Sequence, residues 1–266
     1  MNRHSARVVS VDEIPVIDVS GLSTPGRATL EAVGARMREA AARIGFFYVS
    51  GHGIEQSLID EVDATARRFF AAPQADKLSI EPQGRHRGYI KQGEAKMYDR
   101  ARPDLKESFI WGLDVAEDDP DFVAGNRMIG PNRWPAFMPQ MRPLLNRYLD
   151  ETHACARHLL RALAVSLEAP QDIFIRRFDK PISRGALVYY PPQPPEMGDR
   201  QFGVAPHTDY GVITLLHQDP IGGLQVATRR GEWVTATPIP GTLVINSGDL
   251  MGRWSNDIFR SNPPRV

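Results

Sequence analysis

The residues of this 266-residue chain that could do chemistry together sit in one short stretch, His207-Thr208-Asp209-Tyr210-Gly211, followed by the apolar run Val212-Ile213-Thr214-Leu215-Leu216. Successive side chains of a β-strand point to opposite faces, so on a strand His207 and Asp209 project side by side. An imidazole and a carboxylate presented together are two of the three donors of the 2-His-1-carboxylate facial triad. That triad holds non-haem Fe(II) and leaves positions open for oxygen and substrate. The third donor should be a distant histidine, yet the sequence has none after His217. A His-x-Asp triplet alone is a weak signal, and its weight depends on the elements around it.

Those elements change character along the chain. Ile14-Pro15-Val16-Ile17-Asp18-Val19 reads as a short strand before the Ser20-Gly21 turn. Leu30, Val33, Met37, Ala41 and Ile44 recur at spacings of three and four, one face of a helix that Gly45 stops. Phe46-Phe47-Tyr48-Val49 is a buried strand, and Leu58, Ile59, Val62, Ala66, Phe69 and Phe70 mark a second helix. Residues 80–135 are punctuated by Gly and Pro and read as loops, which either carry substrate contacts or merely connect. From Pro135 to Leu167 an apolar face predicts a long scaffold helix; His153 and His158 lie on it five apart, off a common face, and read as structural. After Pro181 the texture is all-β. Ala186 to Tyr190, the His207 strand, Ile213 to His217, Leu224 to Ala227, Trp233 to Ala236 and Thr242 to Asn246 are short strands parted by turns, the signature of a sandwich, barrel or jelly roll.

Composition narrows the function classes. Lys+Arg and Asp+Glu both number 32, so no basic surplus points to nucleic acid or to an acidic membrane surface. Cys155 is the only cysteine, which excludes an internal disulfide and a thiolate zinc site and fits a reducing cytoplasm. No apolar run approaches the roughly 20 residues that span a bilayer, and the polar start has no signal-peptide character. A soluble cytoplasmic protein is the expectation.

Several linked motifs carry a family resemblance. His207 to Gly211, Gly222-Gly223-Leu224-Gln225-Val226, Ile245-Asn246-Ser247-Gly248-Asp249, and Arg253-Trp254-Ser255-Asn256-Asp257 through Ser261-Asn262-Pro263 stand in order. Upstream lie Ile14-Pro15-Val16-Ile17-Asp18, Gly45 to Gly53, Gly88-Tyr89-Ile90 and Asp104 to Phe109. Together they resemble the isopenicillin N synthase-like branch of the 2-oxoglutarate- and Fe(II)-dependent dioxygenases, over nearly the whole chain. The resemblance implies an α+β fold: a double-stranded β-helix, or jelly roll, with a helical N-terminal extension and with C-terminal strands missing. Residues 1–180 would form the α/β extension and scaffold helices, and 181–266 the truncated dioxygenase core. It implies Fe(II) and 2-oxoglutarate as cofactors, molecular oxygen as co-substrate, and oxidation of a C–H bond of a small organic substrate with release of succinate and carbon dioxide. His207 and Asp209 match the first two metal ligands. Tyr190 matches a tyrosine that reaches 2-oxoglutarate, with Val188 where relatives carry an asparagine; a core aromatic is the alternative. Tyr89, Met97, Tyr98 and Phe109 are candidates to line the substrate pocket or to pack.

Two departures qualify this. Relatives carry the third ligand in a Ser-x-Pro-His-Arg-Val stretch, and here it reads Ser261-Asn262-Pro263-Pro264-Arg265-Val266. Proline has no side-chain donor and no N–H, so Pro264 is expected neither to bind iron nor to pair in a sheet. The arginine-and-serine pair that anchors 2-oxoglutarate in relatives lies beyond residue 266. Asp249, Asp257 and Asn262 are the nearest substitutes, although Asp249 fits a bracing turn better. The sequence therefore predicts an incomplete barrel with residues 258–266 poorly anchored. Besides the oxygenase it leaves open a non-catalytic jelly-roll relative without the third ligand, and an oxidase of the same fold that uses no 2-oxoglutarate.

Overall fold

The computed structural model describes residues 14–84, 86–95, 103–192, 201–228 and 230–266, with the backbone of 7–8. In chain order the elements are β1 (Arg7–Val8), β2 (Val16–Asp18), α1 (Arg27–Arg43), β3 (Phe46–Ser50), α2 (Gln56–Phe70), α3 (Gln74–Leu78), β4 (Gly88–Ile90), β5 (Glu107–Gly112) and α4 (Pro120–Val123). There follow α5 (Met141–Ser166), β6 (Arg184–Tyr189), β7 (Ile213–Leu216), β8 (Gln225–Ala227), β9 (Trp233–Thr235), β10 (Thr242–Ser247), α6 (Asp249–Trp254) and β11 (Pro264–Arg265). They fall into two compact units, Met1–Gly53 with Thr152–Arg177 and Pro206–Val266, and Ile54–Glu151 with Phe178–Ala205. Among the described residues no helix is long and apolar enough to cross a membrane.

The first unit holds two four-stranded sheets, ordered β1-β9-β8-β11 and β2-β3-β10-β7. Alternation along the strands turns Phe46 and Tyr48 of β3, Val226 of β8, Val234 of β9 and Val244 of β10 into one buried cluster, the core of the jelly roll. Ile14, Ile44, Leu224 and Ala236 complete it. Helix α1 lies against the end of α5, where Gly34 lets the backbones meet: a Cβ there would stand 2.4 Å from the Ala162 carbonyl oxygen. Gly45 (φ 77°) ends the helix in a conformation that β-carbons disfavour and turns the chain directly into β3.

The second unit is built on the antiparallel sheet β4-β5-β6. Here the sequence reading needs correction: the Gly/Pro-punctuated stretch 80–135 contains two of that sheet's strands. Glu107-Ser108-Phe109-Ile110-Trp111-Gly112 is its centre, and β6, expected to lead the jelly roll, pairs with it from Arg184 to Tyr189. Phe69 of α2 meets Phe109 edge-on at 5.2 Å between ring centroids, and the Trp111 indole N–H donates to the Leu145 carbonyl. The buried Lys77 reaches the half-buried Glu107 of β5, Nζ to Oε2 at 2.7 Å, with the Tyr89 hydroxyl donating to the same oxygen.

The scaffold helix α5 is continuous over 26 residues. It begins at Met141 rather than Pro135, and Pro143 falls in its first turn, where a missing N–H costs no intrahelical bond.

Residues 258–266 overturn the expectation of poor anchoring. Pro264 and Arg265 are buried and pair antiparallel with Val226 and Gln225 of β8. The Ala227 N–H donates to the Pro263 carbonyl at 3.0 Å, and Arg265 Nε donates to Gln225 Oε1 at 2.8 Å while its guanidinium lies 4.0 Å from the Trp233 ring centroid. Proline is tolerated because a residue's N–H and C=O leave a strand on one side. The missing donor of Pro264 is on the side away from β8, where its carbonyl accepts the His207 N–H at 3.3 Å.

Candidate metal centre

The donor pair is presented by a turn and not by the expected strand. Residues 206–211 have no ladder of their own; what fixes them is helix α6. The first N–H groups of a helix have no partner within it. Here the Asp249 N–H donates to the Asp209 carbonyl at 2.7 Å, and the Leu250 N–H is shared between the carbonyls of Tyr210 and Gly211 at 3.3 and 3.2 Å. The Gly248 N–H donates to the Val212 carbonyl at 3.0 Å. The approach is so close that a Cβ on Gly248 would stand 2.3 Å from the Gly211 oxygen. Thr208 adds a side-chain tie, its hydroxyl donating to Asp249 Oδ2 at 3.0 Å.

On this turn His207 Nε2 and Asp209 Oδ1 stand 3.6 Å apart, both partly exposed. The other oxygen, Oδ2, accepts from Thr214 Oγ1 at 2.6 Å and from Asn246 Nδ2 at 2.9 Å. Thr214 of β7 and Asn246 of β10 are register partners, so the strand pairing itself delivers both donors to one carboxylate oxygen. The sequence motifs alone do not give either residue this role. The available signal is Asn246 itself, an amide in the apolar run Leu243-Val244-Ile245 that has to find a buried partner.

A divalent ion about 2.1 Å from each facing atom would subtend roughly 120° between them, and closing to the ~90° of an octahedral site needs an approach of about 0.6 Å. The pair therefore fits two donors of a metal centre. The third position does not fit. The strand neighbour of His207 is Pro264, and among the described residues no group of three His, Cys, Asp or Glu could hold a metal. Asp249 is tied to Thr208, Asn262 Nδ2 donates to the Ile44 carbonyl at 2.8 Å, and Asp257 is exposed at a left-handed turn (φ 61°).

The remaining candidates lie in the second unit. Tyr190 directly follows β6, and burial, with the Asp104 carboxylate beside it, pushes its hydroxyl well above the usual phenol range. It is a neutral hydroxyl donor at every physiological pH. Asp104 is itself buried, accepts the Ala205 N–H at 3.1 Å and stands 3.3 Å from Lys106 Nζ. Tyr89 and Phe109 are strand partners, fully buried among Phe69, Trp111 and Trp134. Packing engages both side chains, and the Tyr89 hydroxyl is taken up by Glu107. Met97 and Tyr98 lie outside the described residues.

Comparison with known proteins gives the family. Residues 14–137 match the family of the non-haem dioxygenase in morphine synthesis N-terminal region, and residues 183–266 match the 2OG-Fe(II) oxygenase superfamily. The 2-oxoglutarate-Fe(II) type oxidoreductase hxnY of Emericella nidulans is 34% identical over 260 residues, covering 95% of this chain and 74% of that protein. Homoarginine-6-hydroxylase 2-ODD-233 of Oryza sativa subsp. japonica is 35% identical over 266 residues, covering 95% and 80%. The crystal structure of a full-length Neurospora crassa protein in complex with alpha-KG superposes with a TM-score of 0.84 at 32% identity, over 98% of this chain and 82% of that one. The chain belongs to the 2OG-Fe(II) oxygenase superfamily, dioxygenases with a jelly-roll core that use Fe(II), 2-oxoglutarate and molecular oxygen to oxidise a C–H bond of a small organic substrate, releasing succinate and carbon dioxide.

Proposed function

We propose that this chain is an isopenicillin N synthase-like hydroxylase of a small organic molecule, in which His207 and Asp209 hold Fe(II) and the Tyr190 hydroxyl donates to a carboxylate of 2-oxoglutarate. The observation that carries the assignment is the division of labour on Asp209: Oδ2 is fixed by Thr214 and Asn246, which leaves Oδ1 facing the His207 imidazole. Fe(II) with 2-oxoglutarate supplies oxygen activation. The protein supplies fixed donor atoms and, in Tyr190, a hydroxyl that stays protonated and so can donate to an anion. Hydroxylation is supported by relatives named as homoarginine-6-hydroxylases, and a small planar substrate by a structure of the Neurospora crassa protein in complex with alpha-KG and thymine. Residues 1–180 would serve as the α/β extension and scaffold helices, lending β2 and β3 to the jelly-roll sheet, and the part of 181–266 after β6 as the rest of the core. A cytoplasmic site of action is supported by the lone, unpaired and buried Cys155.

The test is anaerobic addition of Fe(II) and 2-oxoglutarate to the full chain, followed by oxygen. A visible charge-transfer band and succinate release are expected, both lost in D209A, and Y190F should weaken 2-oxoglutarate binding without removing the metal. Pro264 favours a second reading, the non-catalytic relative, which the same assay separates: iron binding without succinate release would establish it.

A further inference from the structure

The donor pair has a neighbour without a donor. Pro264 is buried, its carbonyl accepts the His207 N–H, and it stands opposite Val226 in the β11–β8 register. Residues two apart share a strand face, so Pro264 lies on the face of Val266, which packs against the inter-sheet cluster. A side chain at 264 is therefore carried inward on the strand next to the ligand turn, and here it is a pyrrolidine ring with no atom to offer a metal.

We infer that this chain builds a two-donor metal centre: His207 and Asp209 bind a divalent ion from one side, and the position beside Pro264 stays open to a small exogenous neutral donor, water when nothing else is present. The inference rests on the assignment of these two residues as ligands. It adds that the centre carries one more exchangeable position than a site with three protein donors. Asp249 and Asn262, the polar side chains nearest in sequence to β10 and β11, are engaged by Thr208 and Ile44 and do not fill it.

Mn(II) alone is the probe, read on the full chain by equilibrium titration and by water-proton relaxivity of the bound ion. A six-coordinate ion on two protein donors carries about four waters. P264H should lower this to about three, cut the bound relaxivity by roughly a quarter, and tighten the Kd by about tenfold or more, since even a group that only supports a ligand is worth that much. P264A restores the backbone N–H without a donor and should match the wild type in both readings. Unchanged values in P264H, an equal shift in P264A, or about three waters or fewer on the wild type would overturn the inference. Wild-type Mn(II) affinity in both H207A and D209A would instead overturn the ligand assignment, and with it the open position, so the two failures are distinguishable.

Discussion

Asn246→Leu and Thr214→Val test whether the β7–β10 pair positions Asp209 for a metal or merely stabilises the sheet. Each removes one donor to an ionised carboxylate, a bond worth about 1.5–3 kcal/mol net when buried. The Asp209 side chain is 28% exposed, so water can replace part of what is lost, and about 1.5 kcal/mol in the metal-free protein is expected for each variant. The shape-conserving replacements keep cavity terms small. The metal effect is separate: a carboxylate freed at Oδ2 can turn from His207, and loss of such a supporting contact weakens metal affinity by about 10–100-fold. Because both donors act through one oxygen, the double variant should lose less than the sum of the singles, by about 0.5 kcal/mol or more. Urea denaturation with chelator reads the first quantity and Mn(II) titration of the folded protein the second. Variants that lose stability yet keep the wild-type Mn(II) Kd within twofold would refute a positioning role, as would strict additivity.

Two further outcomes follow from the second unit and from the turn after β3. Lys77→Met should cost about 3 kcal/mol in urea denaturation, the low end for breaking a buried pair because the Glu107 side chain keeps 14% exposure, and adding Glu107→Gln should recover most of that loss. A single variant within about 1 kcal/mol of wild type, measured by the same denaturation, would remove the ion pair from the account. Burial, with the His217 imidazole beside it, lowers the His52 pKa below its ordinary 6.5. The folded chain then binds fewer protons than the unfolded one, so His52 makes stability fall as pH drops from about 6.5 through the folded-state value. His52→Gln should flatten the difference in denaturation midpoint between about pH 7.5 and about pH 5.5, and an unchanged difference would count against it.

The parts of the fold legible in sequence are those where one face decides. Leu30, Met37 and Ala41 of α1, and Leu58, Val62 and Phe69 of α2, show their burial through spacing alone. Strands β4 and β5 are not legible, because Gly88 and Gly112 bracket them as turn residues do. The reason for each glycine is a distant neighbour: a Cβ at 88 would meet the Ile80 carbonyl and one at 112 the Arg87 guanidinium. His207 and Asp209 can be read as a pair, since types and spacing carry the chemistry, but the strand assumed to hold them is a turn held by α6. The last strand is missed when a proline's lost donor is taken to matter on both sides, whereas it concerns only the side facing His207.

The grip of α6 on the turn of His207 and Asp209 is backbone to backbone: N–H groups of Gly248, Asp249 and Leu250 on carbonyls of residues 209–212. Such a clamp is indifferent to the side chains that decorate it. Leu250, Arg253 and Trp254 are exposed and can drift in evolution, or be recoded in the laboratory, without moving Asp209, whereas Gly248 is confined to glycine by the oxygen 2.3 Å from where its Cβ would stand. The mutational tolerance of this helix should thus be broad at those three exposed positions, narrow at the buried Met251, and collapse at Gly248 just before the helix begins.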